Sequence, residues 1–246
     1  MKLLVLGTSG YHPNQRRHTA CLMLPEAGIV LDAGSGFFRV RKHLQTPTLD
    51  ILLTHAHLDH VAGLTFLLST AHDKSLERIT VHGDAAKLAA VRDHLLSELI
   101  FPAPLPCQWQ PLPSEPFSLG GARVTHFPLI HPGGAVGYRL DWPDRSLAYV
   151  TDTTASPDAD YVRHIRGVDL LVHECNFHDG QEEWALKTGH SSTTPVAQVA
   201  ARAGAKRLVL VHFNALDESD DPIGLATARR IFAAIDLGYD GMAVDF

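Results

Sequence analysis

Most of the apolar residues in this chain fall in short, nearly unbroken runs. Residues 2–6, 29–31, 49–53, 78–82, 147–150, 168–172 and 207–211 each read this way. That is the pattern of strands buried on both faces. Residues 20–24, 122–127, 136–141 and 242–244 extend the strand set, and Pro25-Glu26-Ala27-Gly28 makes a hairpin turn between two of them.

Helical periodicity is confined to fewer segments. Leu88, Val91, Leu95 and Leu99 are spaced three or four residues apart. They predict an amphipathic helix over residues 84–99, with Asp84 as its N-cap. A second helix is expected over residues 194–203, with Thr194 as N-cap and Pro195 in the first position. Shorter helices are expected over residues 37–44, from Val61 onward, and over residues 158–165 and 181–187. Another is expected over residues 221–235, with Ile231 and Ile235 facing inward. Residues 101–117 break both patterns. Pro102, Pro104, Pro106, Pro111, Pro113 and Pro116 exclude a helix or a central strand. An extended surface tie pinned by Trp109 is the simplest reading; a lid or dimer contact is the alternative. There is no repeat, and strands and helices alternate mainly in the second half. The fold class is therefore α/β, with two mixed sheets flanked by helices.

Composition narrows the function. With 246 residues and 45% hydrophobic content, the chain suits one domain over residues 1–246. A net charge of −6 without a long Lys/Arg run argues against a long nucleic acid as partner and toward a small substrate. No apolar run is long enough to span a membrane, and the N-terminus reads as a strand rather than an export signal. Three widely spaced cysteines without a C-x-x-C indicate a reducing compartment, the cytoplasm, and no cysteine zinc site.

The densest chemistry lies where the strand 49–53 stops and a helix begins. Thr54-His55-Ala56-His57-Leu58-Asp59-His60 brings together three imidazoles and a carboxylate. Such donors suit zinc or manganese. Four so close in sequence cannot all serve one ion and leave it an open position. Two divalent ions follow, with His55 and His57 on one, and Asp59 and His60 on the other. A histidine-rich loop without a metal is the plain alternative, and composition makes this spacing an uncommon accident.

That stretch resembles the signature of the metallo-β-lactamase fold hydrolases. The resemblance implies an αβ/βα sandwich with a dinuclear metal site at one edge. The opening Gly7-Thr8-Ser9-Gly10, with Pro13, Arg17 and Thr19, is similar to that of ribonuclease Z, although Thr19 comes one position early. Asp32-Ala33-Gly34-Ser35-Gly36-Phe37 departs from the D-C-G-E-G-T usual in that family. Three donors at strand ends stand in the order the resemblance implies: His131 ahead of Gly137-Tyr138, Asp152 in Tyr149-Val150-Thr151-Asp152, and His212 before Phe213-Asn214. His126 competes with His131 but sits inside a strand. The resemblance then implies that His131 joins His55 and His57, that His212 joins Asp59 and His60, and that Asp152 bridges the ions. Such a site would carry one net positive charge once Asp59, Asp152 and a hydroxide are counted, which suits a phosphodiester.

His173-Glu174-Cys175-Asn176-Phe177 resembles the H-E-A-T-F stretch of ribonuclease Z, and Gly189-His190-Ser191-Ser192 resembles its H-S-T loop. This implies that Glu174 orients His190, which assists the leaving oxygen, while Asp59 orients the attacking hydroxide held by the metals. Arg16 or Arg17 is a candidate for positioning the phosphate. The RNA-gripping arm of ribonuclease Z is missing, since His131 and Asp152 are only 21 positions apart. In that spacing the chain is nearer to the cyclic phosphodiesterases of phosphonate metabolism. The expected function is hydrolysis of a small phosphodiester, a cyclic nucleotide or sugar diester among them, and a homodimer is compatible with the resemblance. The rivals are a lactone or thioester hydrolase of the same fold and transfer RNA 3′-end processing. Lactonases of this fold place a Tyr three residues past the bridging Asp, where this chain has Ala155.

Overall fold

The computed structural model describes residues 1–72 and 76–246. The chain forms two compact units. The first comprises Met1–Pro13, Arg17–Glu115 and Tyr239–Asp245; the second comprises Asn14–Arg16, Pro116–Gly238 and Phe246.

The first unit is built on a seven-stranded mixed sheet. Its strands are β1 (Lys2–Gly7), β2 (Cys21–Leu24), β3 (Ile29–Leu31), β4 (Thr48–Leu52), β5 (Arg78–Gly83), β6 (Gln108–Pro111) and β14 (Ala243–Asp245). They lie in the order β14-β1-β2-β3-β4-β5-β6. β14, β1, β2 and β3 run antiparallel, and β3 to β6 run parallel. β2 and β3 are buried along their whole length, as their unbroken apolar sequence requires. Leu49, Ile51 and Val81 of the sheet pack with Phe37, Leu64 and Leu67 from the helical segments. Phe37 and Leu64 lie in 3-10 turns, Ser35–Arg39 and Ala62–Phe66, and the α-helices of this unit are α1 (Val40–His43), α2 (Leu58–Val61), α3 (Leu67–Ala71) and α4 (Ala85–Ala90).

The second unit repeats the plan. Its sheet has the order β13-β12-β11-β10-β9-β8-β7. The strands are β7 (Phe117–Leu119), β8 (Ala122–Leu129), β9 (Ala135–Asp141), β10 (Ser146–Val150), β11 (Leu170–Glu174), β12 (Arg207–Val211) and β13 (Ile235–Leu237). β7 to β10 run antiparallel, and β10 to β13 run parallel. Its helices are α5 (Glu182–Thr188), α6 (Thr193–Ala203) and α7 (Leu225–Ile231). Val196, Val199, Ala200 and Ala203 of α6, at positions i, i+3, i+4 and i+7, form the stripe it buries. Among the described residues, no helix is long and apolar enough to cross a membrane.

The strand expectations hold closely, apart from 168–172, which is observed as Leu170–Glu174. Three of the helical expectations change at their ends. Asp84 does cap α4, accepting from the N–H groups of Ala86 and Lys87 at 3.1 and 3.2 Å. The helical turns, however, stop at Leu95 after a widened turn over Val91–Leu95, and Leu99 is fully exposed. Ser192 precedes α6, so Thr194 lies inside it. Asp179 serves its first turn instead, accepting from the Thr194 N–H at 2.8 Å. α7 ends at Ile231, which is exposed, and Ile235 is buried in β13 rather than on a helix. The proline-rich stretch contributes β6, and its prolines are tolerated there because β6 is an edge strand. Trp109 packs partly buried against the first core.

Candidate metal centre

The first unit places its donors just past the carboxyl ends of parallel strands, where open sheets hold ligands. Beyond β4 come Thr54 and His55, both buried. His57 is exposed and immediately precedes α2; Asp59 and the buried His60 lie within α2. The ring centres of His55 and His57 are 4.5 Å apart, and those of His55 and His60 are 4.2 Å apart.

Their orientation is set by a residue outside the sequence expectation. Asp32, the first residue after β3, accepts hydrogen bonds from Nδ1 of His60 at 2.8 Å and from the Thr54 N–H at 2.8 Å. It also accepts from the Thr54 hydroxyl at 2.9 Å. That hydroxyl accepts in turn from Nδ1 of His55 at 3.0 Å. One buried carboxylate thus fixes the tautomers of two rings. Asp59 is oriented from its other side: its Oδ2 accepts the Tyr11 N–H at 2.7 Å and lies 3.4 Å from Nε2 of His60. The Asp32 loop lies directly on the His60 turn. Ala33 donates to the His60 carbonyl at 2.8 Å, and a β-carbon on Gly34 would come within 2.1 Å of the Asp59 carbonyl oxygen. Only glycine permits that approach.

In the second unit Asp152 and His212 close β10 and β12. Both have left-handed backbones, with φ of 57° and 60°, and Asp32 has 59°. Such conformations cost on the order of 1 kcal/mol or more and concentrate at functional sites. The two carboxylate oxygens of Asp152 face different rings. Oδ2 is 3.5 Å from Nε2 of His131 and Oδ1 is 3.3 Å from Nε2 of His212. This is the disposition of a bridging ligand. Nδ1 of His131 donates to the Gly189 carbonyl at 2.9 Å. Burial pushes the His131 pKa down, against opposing pulls from Asp152 and that carbonyl, and so favours the neutral ring that a metal binds. The Asn176 amide donates to the His212 carbonyl at 3.0 Å.

Beside these lies a buried acid–imidazole pair. Oε1 of Glu174 accepts from Nδ1 of His190 at 3.0 Å and from the Thr153 N–H at 2.8 Å, and its Oε2 accepts from the Ser191 N–H at 3.2 Å. The His190 ring lies 5.1 Å from that of His131 and 5.2 Å from that of His212. Asp152, His190 and His212 each bring a ligand atom within 4.8 Å of the others. Imidazoles tied at Nδ1, together with carboxylates aimed at ring nitrogens, make a donor set that fits divalent zinc or manganese.

Other candidates fall elsewhere. His126 lies within β8. His173 is buried, donating from Nδ1 to the Glu174 carbonyl at 2.7 Å and accepting the Tyr161 hydroxyl at Nε2 at 3.0 Å. Arg16 is turned to Asp220 at 2.5 Å and to the Glu218 carbonyl, and Arg17 is buried. Sequence reasoning missed Asp32 and Thr54. Their signal was an acidic residue closing an apolar strand and a hydroxyl opening the histidine cluster.

Residues 28–213 match the family model described as a beta-lactamase superfamily domain. Ribonuclease Z of Acaryochloris marina is 28% identical over 305 aligned positions, covering 98% of this chain and 96% of that protein. Because the chain has 246 residues, at least 59 of those positions hold none of its own. Human tRNase Z, short form, superposes with a TM-score of 0.78 at 22% identity, over 100% of this chain and 99% of its own. A diphosphatase of the PhnP family superposes with a TM-score of 0.77 at 24% identity, over 100% of this chain and 97% of its own. At these identities the two structures establish the fold: two mixed seven-stranded sheets with helices, the metallo-β-lactamase αβ/βα class. The chain therefore belongs to the beta-lactamase superfamily and is a metal-dependent hydrolase.

Proposed function

We propose that this enzyme hydrolyses a small phosphodiester at a pair of divalent ions, zinc or manganese, with both units acting as one domain over residues 1–246. His55, His57 and His131 would hold one ion and Asp59, His60 and His212 the other, with Asp152 between them. When bound, such ions supply Lewis acidity and lower the pKa of water toward neutrality.

The observation that carries the reading is the Glu174–His190 pair. With Nδ1 on the buried carboxylate at 3.0 Å, the His190 ring is held beside Asp152 and His212. Held in that orientation by the carboxylate, His190 serves as the proton donor to the leaving oxygen. An alkoxide leaving phosphorus needs that proton; a thiolate leaving a thioester does not. Asp59, steadied by the Tyr11 N–H, orients the attacking water. The negative net charge favours a small diester, and three free cysteines are in keeping with a cytoplasmic enzyme.

A second reading, cleavage of RNA, is favoured by the likeness to a protein named ribonuclease Z over nearly its whole length. The test is turnover by the zinc- or manganese-loaded protein on an aryl phosphodiester, a lactone and a thioester, beside an unprocessed transfer RNA. Diester hydrolysis without lactone or thioester cleavage supports the proposal. Lactone or thioester cleavage without diester hydrolysis overturns it, and cleavage of RNA alone selects the second reading.

A further inference from the structure

Among the described residues four non-glycines have a left-handed backbone: Asp32, Asp152, His212 and Tyr11, the last with φ of 63°. The first three are buried, whereas Tyr11 is 83% exposed. A large aromatic ring in solvent gains little from burial to offset a conformation that disfavours bulky side chains. Its loop is nonetheless firmly tied. Ser9 donates from its N–H to the His18 carbonyl and from its hydroxyl to the His12 carbonyl, each at 2.8 Å. His12 donates to the Gly10 carbonyl at 2.8 Å, and its ring meets the Tyr11 ring edge-on, 5.3 Å between centres. The Tyr11 N–H ends on Asp59 at 2.7 Å. The left-handed turn therefore sets the Tyr11 backbone on a carboxylate proposed to bind metal while its ring stands in solvent.

We infer that Tyr11 is a specificity residue, a platform on which a nucleobase flanking the scissile phosphate stacks. The inference rests on the phosphodiester reading and deepens it by naming a nucleotide substrate. A phenol offers a flat, exposed face, and stacking on it accepts any base. It also suits a chain of net charge −6, in which the phosphate backbone of a substrate finds no general positive field. The base could belong to a small nucleotide diester or to an RNA end, since both present the same ring beside the same phosphate.

The test uses the manganese-loaded full chain with Tyr11→Phe, Tyr11→Ala and Tyr11→Gly. Turnover is measured on a cyclic nucleotide and a short RNA, and binding of a nucleoside monophosphate and of inorganic phosphate is measured by calorimetry. Tyr11→Ala should weaken nucleoside monophosphate binding about tenfold and raise KM to match, with kcat kept and phosphate binding unchanged. Tyr11→Phe should retain both. Tyr11→Gly should lose the nucleotide while melting higher than the parent, an outcome a merely structural tyrosine would not give. A KM increase on the cyclic nucleotide or on the RNA identifies the source of the base. Unchanged nucleoside monophosphate binding in Tyr11→Ala, or equal losses for phosphate and nucleotide, overturns the inference. Absence of any diester turnover in the parent would instead sink the phosphodiester reading, and the binding measurements would still decide the role of Tyr11.

Discussion

Nδ1 of His60 donates a 2.8 Å hydrogen bond to the carboxylate of Asp32, and neither side chain is exposed. The same carboxylate takes the N–H and hydroxyl of Thr54, so it governs the donors of the first unit without being one. Asp32→Asn keeps the size and tolerates the left-handed backbone, but it offers one oxygen where three donors converge. We expect metal affinity to fall about 10- to 100-fold. Stability of the metal-free protein should fall by about 1–3 kcal/mol. Chelator competition and thermal melting measure the two effects, and an unchanged metal affinity would remove Asp32 from the site.

His190→Ala should retain its metal and lose about 10²- to 10⁴-fold in kcat, the usual contribution of a general acid. Metal content and single-turnover rate should be measured on one sample. His190 lies close enough to Asp152 and His212 to share an ion with them. Loss of metal together with turnover would therefore reassign it as a ligand, and full activity would exclude both roles.

The strands were legible because a strand buried on both faces writes itself as a local apolar run, as in Leu147 to Val150. The histidine cluster was legible for the same reason: its donors are neighbours in sequence. What escaped depends on distance along the chain. Asp32 meets His60 across 28 positions, and Asp179 supplies the first turn of α6 from 15 positions away, so neither role leaves a local mark. The stripe of Leu88, Val91, Leu95 and Leu99 misled because spacing alone does not tell where backbone hydrogen bonding stops, and Leu99 ends in solvent. Ile235 could not be separated from a helix tail by sequence, because a three-residue strand shows almost no period of its own.

Gly189 combines three constraints. It ends α5 in a left-handed conformation with φ of 74°, and its carbonyl accepts from Nδ1 of His131 at 2.9 Å. A β-carbon there would come within 2.6 Å of Pro132 Cδ and 3.0 Å of His131 Nδ1. Gly189→Ala should cost about 1 kcal/mol from the backbone alone. It should also turn the His131 ring and weaken metal binding more than a comparable change at Gly204. Gly204 ends α6 with φ of 64° and has nothing within 4 Å of its added carbon. Metal titrations of the two variants side by side separate the cap from the ligand effect; equal affinities would show that the Gly189 contact is dispensable.

Asp50 tests the fold independently of the site. It is buried on β4, where its oxygens accept from Arg78 at 2.7 and 2.9 Å and face Nε2 of His82 at 2.9 Å. Burial pushes this carboxyl up, but the hydrogen bonds from His82 and Arg78 outweigh it, and its pKa lies below the ordinary value. A depressed folded pKa means that the unfolded chain takes up the proton first. The contribution of Asp50 is thus fully present above the unfolded carboxyl pKa of about 3.9, and it is lost as pH falls through the lower folded value. Asp50→Asn should be less stable than the parent at pH 6, because Arg78 and His82 lose their anionic partner. The two stabilities should converge as the parent is titrated below about pH 4. Urea unfolding from pH 6 downward gives both curves, and a constant gap between them at every pH would show that this carboxylate is not coupled to folding.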